Sequence, residues 1–244
     1  MRIPTYKEIE TKVRADLDLQ DSNNFITEDE MAGYCNEAID TAESIIMQAC
    51  EDYLLTSAPL TLVNGANSIE LPSNIYAQKI RGLTYINGDR IYPLHRVRDP
   101  DIFYRKAVID RQAISLDEYS YLLKSTTVGE QDKIILTPPA YESGAFLELW
   151  YIRNANRVSM QAAPDSVSRA TQLATPIDIP EWRLYLEQYM KMRCYEKMRD
   201  MAGMANAEAK TKAMAEMMLV NLKDRVVDNE NNVAQDTSHY MEHN

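Results

Sequence analysis

Glycine, histidine, cysteine and phenylalanine are scarce in this chain, and most of these shortages remove a class of function. Seven Gly among 244 residues leave few places for the positive-φ loops that cradle phosphates. No GxxxxGK[ST], GxGxxG, GxSxG or HExxH pattern occurs. The three histidines are His95, His239 and His243. The last two stand at helical spacing with Glu242 between them, but a metal site needs more ligands on a fixed scaffold. His95 has Asp99 and Asp101 nearby, as any histidine would in so charged a chain. Cys35, Cys50 and Cys194 are too few and too scattered for a disulfide framework or a zinc site. Free thiols fit a reducing cytosol. No apolar run approaches the roughly 20 residues that span a bilayer. Met1-Arg2-Ile3-Pro4 runs at once into charged residues, without a secretory apolar segment. The expectation is a chain with no catalytic residue, metal, cofactor or membrane span.

Acid is what the chain has in excess. Against 37 Asp and Glu stand 26 Lys and Arg, a formal charge of −11. The charge comes in blocks. Residues 1–60 hold 4 bases and 13 acids, residues 77–111 hold 8 and 4, and residues 181–227 hold 9 and 7. Residues 228–244 hold 4 acids and neither Lys nor Arg. Blocks of opposite sign favour complementary contact between copies or with a partner; the plainer alternative is a set of solvated faces. Only 3 Phe but 15 Tyr, with 13 Met, suit half-buried and interface positions, and serve equally well in a core.

Apolar spacing predicts helices at both ends. Thr5 to Leu19 carries Tyr6, Ile9, Val13 and Leu17 on one stripe, with Thr5 and Glu8 in the capping-box pattern. Asp21 to Asn24 is turn chemistry. Thr27 and Glu30 repeat the capping pattern before a stripe running from Met31 through Tyr34, Cys35, Ile39 and Ile46 to Leu54. That is about seven turns, roughly 40 Å, long enough to overhang a small core. Pro180 opens a C-terminal helix with Trp182, Tyr185, Leu186, Tyr189 and Met190 on its stripe. Gly203 interrupts it, and a further helix is expected from Asn206 to Val227.

Between the helices the pattern is β. Leu60 to Val63 and Ser68 to Leu71 flank Asn64-Gly65-Ala66-Asn67 and read as a hairpin. Gln78 to Ile86 alternates and turns at Asn87-Gly88-Asp89 into Arg90 to Leu94. Pro100 to Ala107 suggests a short helix. Ser120 to Lys124, Lys133 to Thr137 and Phe146 to Ile152 read as three more strands. The fold class is α+β: helical N- and C-terminal arms with a small antiparallel sheet or sandwich. The expected divisions are 1–57 (helical arm), 58–153 (β domain), 154–180 (irregular connector), 181–227 (C-terminal helices) and 228–244 (a flexible or partner-ordered tail).

Candidate contact residues follow. Trp182, Tyr185 and Tyr189 could anchor a partner or form a helix-on-helix core. Asp228, Glu230, His239 and Tyr240 belong to the tail. Arg90, Arg96, Arg98, Arg105 and Arg111, with Tyr92, Phe103 and Tyr104 interleaved, could meet nucleic acid by charge and stacking. The acidity of the whole chain favours the alternative, that these Arg pair with acids of the N-terminal arm.

The order of these motifs resembles the head-to-tail adaptor (neck or connector) proteins of tailed double-stranded DNA bacteriophages, in particular the short-tailed type. The resemblance rests on Tyr34-Cys35-Asn36-Glu37-Ala38, similar to the family's Tyr-x-Asn-Glu-Ala. It continues through Leu62-Val63-Asn64-Gly65 to Ile69-Glu70-Leu71-Pro72, Ile80 to Tyr85, Leu147 to Ile152, and Ile179-Pro180-Glu181-Trp182 onward to Tyr189. It implies a virion protein assembled in the host cytoplasm, which forms a ring at the head–tail interface, commonly of twelve copies. Such a ring would join the portal protein to tail, nozzle or fibre proteins and let DNA pass without specific binding. An acidic, non-enzymatic regulatory or scaffolding partner, acting as monomer or dimer, is the alternative.

Overall fold

Thr27 begins the longer N-terminal helix as its sequence predicts. The computed structural model describes residues 3–19, 25–62, 68–110, 120–125, 131–137, 145–160 and 166–239. It divides into two units, Met1–Tyr53 with Ala155–Asn244, and Leu54–Asn154.

In the first unit, helix α1 spans Tyr6–Asp16 and α2 spans Glu28–Ala49. At α2 the Glu30 amide donates to Thr27 Oγ1 (3.2 Å) and the Thr27 amide donates to Glu30 Oε2 (2.8 Å), a complete capping box. The helix stops at Ala49, about 33 Å long, and a 3-10 turn over Glu51–Leu54 leads out. The stripe therefore does not continue as α-helix to Leu54. Thr5 stands at the N-cap of α1 but makes no side-chain cap bond. Its backbone is bridged to Pro176 instead, with the Tyr6 amide on Thr175 O and the Ile177 amide on Pro4 O, both 2.9 Å.

The 154–180 segment, expected to be irregular, contains helix α4 (Ser166–Ala174). A 3-10 turn at Pro180–Trp182 precedes α5 (Arg183–Met198), which closes at Arg199 with φ +59°. Helix α6 then runs from Met201 to His239. It begins before the Asn206 expected and includes Gly203. A Cβ at residue 203 would lie 2.5 Å from Tyr195 Cδ1, so only glycine lets α6 start beside α5. Backbone helix also covers 228–239, where a tail was expected; Tyr240 lies outside the described residues, as does the Asp21–Asn24 turn. Helix α5 packs on α2, α1 and α6. Tyr6, Ile9, Met31, Cys35, Ile39, Ile46, Leu186, Met190, Cys194, Met218 and Leu222 are buried there.

Among the described residues the second unit holds eight strands: β1 (Leu55–Thr61), β2 (Ser68–Glu70), β3 (Ile75–Asn87), β4 (Arg90–Pro93), β5 (His95–Arg96), β6 (Ser120–Lys124), β7 (Lys133–Thr137) and β8 (Phe146–Arg153), with helix α3 (Pro100–Asp110). They form two four-stranded sheets, ordered β1-β8-β3-β4 and β2-β7-β6-β5. All pairings are antiparallel except β5 with β6. The hairpin expected over 60–72 does not form: β1 pairs with β8, and β2 pairs with β7 in the other sheet. The β3–β4 hairpin does form, with Gly88 at φ +57°. Leu83, Tyr85, Leu147 and Leu149 of one sheet share a buried cluster with Tyr121, Ile134 and Leu136 of the other.

Candidate interaction surface

Long-range ion pairs distinguish the helical unit. Arg169 Nη2 donates to both carboxylate oxygens of buried Glu10 (2.8 and 2.7 Å), and Arg14 Nε adds a third bond at 2.8 Å. Buried Glu43 accepts from the Ala155 amide and from Arg157 Nη2, both at 2.6 Å, and Arg157 also reaches Asp40 at 2.5 Å. Lys191 meets Asp16 at 2.5 Å, Arg193 meets Glu37 at 2.8 Å, and Lys197 meets Glu30. Arg183 lies 3.6 Å from Glu8 and 2.7 Å from Glu187.

The acids of the N-terminal helices thus meet bases between residues 157 and 197. Charge-assisted bonds to nearly buried carboxylates, as at Glu10 and Glu43, are the strong ones, and the pairs with exposed carboxylates contribute less. Lys12 and Lys191 hold the Asp16 carboxyl below its ordinary range, and Lys197 with the Thr27 amide does the same for Glu30.

The family-like Tyr-x-Asn-Glu-Ala segment has a structural reason here. Asn36 accepts from the Val158 amide (2.8 Å) and donates to Val158 O (3.0 Å), pairing like a strand with the chain returning from the β unit. Glu37 receives Arg193. Cys35 and Cys194 are buried, which pushes both thiols up to about 12; they are protonated at neutral pH and unsuited to nucleophilic chemistry. Asp99 Oδ1 accepts from the Asp101 amide at the start of α3, a helix-capping role. Among the described residues no group of three or more His, Cys, Asp or Glu could hold a metal ion, and no helix is long and apolar enough to cross a membrane.

The candidate contact residues are not brought together. Trp182 and Tyr185 are buried in the helical unit, and Tyr189 is half-buried with its ring 6.3 Å from that of Tyr185. That placement suits the core alternative for the first two. Burial pushes the Tyr185 hydroxyl up to about 12. Asp228, Glu230 and His239 lie on the last turns of α6. Arg90, Arg96, Arg98 and Arg105 are exposed on the β unit; Arg111 lies outside the described residues. Sequence reading missed Glu10 and Glu43, because nothing local marks a carboxylate whose partner is more than 100 residues away.

Charge is divided between the units. The helical unit carries 15 Lys and Arg against 26 Asp and Glu, and the β unit 11 against 11, so the whole −11 falls on the helices.

Helices tied to one another by long-range ion pairs, with a separate unit of two sheets, define an α+β protein. The match of a family model over residues 4–235 makes this specific: the chain belongs to the SU10 adaptor protein family, bacteriophage adaptors with a structural role in the virion. No curated protein matches the chain.

Proposed function

We propose that this adaptor assembles into a closed ring that joins the portal protein to tail proteins and leaves a channel for the genome. The observation that carries the reading is the family match, which runs through both units from residue 4 to residue 235. The shape and charge of the parts support it. Helix α6 has 39 residues, about 58 Å, against about 24 Å for α5 and about 33 Å for α2, so it is longer than any helix it packs on. An acidic helical unit repeated around a channel would repel phosphate and let DNA slide. Ring closure makes modest pairwise contacts strong together. Tyr189 and the end of α6, with Asp228, Glu230 and His239, are the proposed portal contacts; twelve copies is the number the family resemblance suggests. Light scattering on the purified chain, alone and with a portal, tests the reading. A ring-sized species is expected in at least one condition. A chain that stays monomeric or dimeric in both would overturn it and favour an acidic regulatory partner.

A further inference from the structure

Only Arg199 and Asp200 separate Met198, the last residue of α5, from Met201, the first of α6. The Arg199 amide reaches Glu196 O (3.1 Å) and the Asp200 amide reaches Tyr195 O (3.0 Å), the paired bonds of a Schellman turn. Such turns prefer glycine at the left-handed position. Here that position is Arg199, with φ +59° and ψ +27°, a conformation that a residue with a Cβ adopts only under strain. Asp200 Oδ1 then accepts from the Gly203 amide (3.0 Å) and caps α6. A short connection under strain is where identical arms exchange between copies.

Helix α6 is also lightly tied to its unit. Among the described residues its buried positions are Ala207, Thr211, Met218 and Leu222, one narrow stripe laid on α2 and α5. Its one long-range ion pair among them joins Arg225 to Glu181 at 2.7 Å, while Lys212 pairs within the helix, with Glu208. By contrast α4 and α5 reach the first two helices through Arg169, Arg183, Lys191, Arg193 and Lys197.

We propose that α6 is an exchangeable arm. The elbow at Arg199–Asp200 opens on assembly, and the arm of one copy lies on α2 and α5 of the next. This rests on the ring reading above and names the contact that links neighbours. The occupant follows from the chain itself. The surface of α2 and α5 that α6 covers already fits α6, and a second copy offers the identical helix. Opened, residues 183–239 would form one helix, since they contain no proline and Gly203 is their only glycine. Gly203 favours the shut elbow, because it lets α6 pass the Tyr195 ring. The unassembled chain therefore keeps its arm against its own α5. Arms passed on in one direction give a head-to-tail series, which becomes a ring when the rotation closes.

Cross-linking in place of the Arg225–Glu181 pair tests this on the full chain. Cys35 and Cys194 are buried, so Glu181→Cys and Arg225→Cys in a Cys50→Ser background offer two reactive thiols to a short bis-maleimide. In the unassembled chain the link is expected within one chain, as a single monomer band on a denaturing gel. After assembly on a portal, verified by light scattering, a ladder of multimers is expected in its place. Assembled particles linked only within single chains would overturn the exchange and leave the ring standing. Failure of the parent chain to assemble would overturn the ring, and the exchange with it. Arg199→Gly relaxes the shut elbow without touching either packed surface. It should melt no lower than the parent and yet assemble on the portal about fivefold more weakly. Assembly equal to the parent's would count against the proposal.

Discussion

Replacing Arg169 with methionine should destabilise the helical unit through the carboxylate it leaves behind. The Glu10 side chain is 3% exposed and accepts two bonds from Arg169 and one from Arg14. Removing one partner of a buried pair costs about 3–5 kcal/mol. Arg14 remains at 2.8 Å, so the loss falls at or below the lower end, about 2–3 kcal/mol. For a domain of this size, about 2–4 °C per kcal/mol gives a fall in melting temperature of about 5–10 °C. Circular dichroism during thermal and urea unfolding of the full chain would read it. The double variant Glu10→Leu with Arg169→Met removes the stranded charge and should recover half or more of the loss, a coupling that a double-mutant cycle measures. A shift below about 1 °C for Arg169→Met would refute the reasoning. So would a double variant as unstable as the sum of its parts.

Acid should loosen the same unit. The Asp16 and Glu30 carboxyls are held below their ordinary range, so their contribution is complete above the usual carboxylate value of about 4 and fades as pH falls through the lower folded values. Melting measured from pH 7 to pH 3 should show it, and Asp16→Asn with Glu30→Gln should flatten the acid limb. Gly203→Ala should lower the melting temperature despite alanine's better helix propensity, because the new Cβ meets the Tyr195 ring. Adding Tyr195→Ala should reduce the Gly203→Ala loss without abolishing it, because Asp200 Oδ2 also lies 2.6 Å from the new Cβ, which a four-variant melting series checks. Thr27→Ala should cost about 1 kcal/mol and Thr5→Ala much less, since only Thr27 makes a cap bond; equal losses in urea titrations would contradict the capping argument.

The contrast between Thr5 and Thr27 shows what could be read from sequence. Both precede a Glu at the right spacing, yet only Thr27 forms the box. The other is overruled by a bridge to Pro176, 171 positions away. The long amphipathic helix, the β3–β4 turn and the later strands were legible because hydrophobic period and turn residues specify them locally. The Asn64-Gly65 signal misled because strand partners are chosen by the whole sheet, and β1 and β2 found theirs on β8 and β7. Helix α4 escaped notice for a different reason. Val167, Ala170, Leu173 and Ala174 stand at helical spacing, but the side it buries presents Arg169 and Gln172, so the apolar stripe does not mark the packed face.

Strands β1 and β8 lie side by side, with Leu55 opposite Ile152, so the chain enters and leaves the β unit through one doorway. That unit is an interlude in the helical one. During synthesis it can be completed while Glu43 and Glu30 still lack their basic counterparts and Glu10 and Asp16 lack Arg169 and Lys191. Residues 157–197 have to emerge before the first helices find their mates. A released fragment ending near residue 154 should therefore carry a finished sandwich on a loose acidic leader, and the helical unit can close only once the last third of the chain has been made.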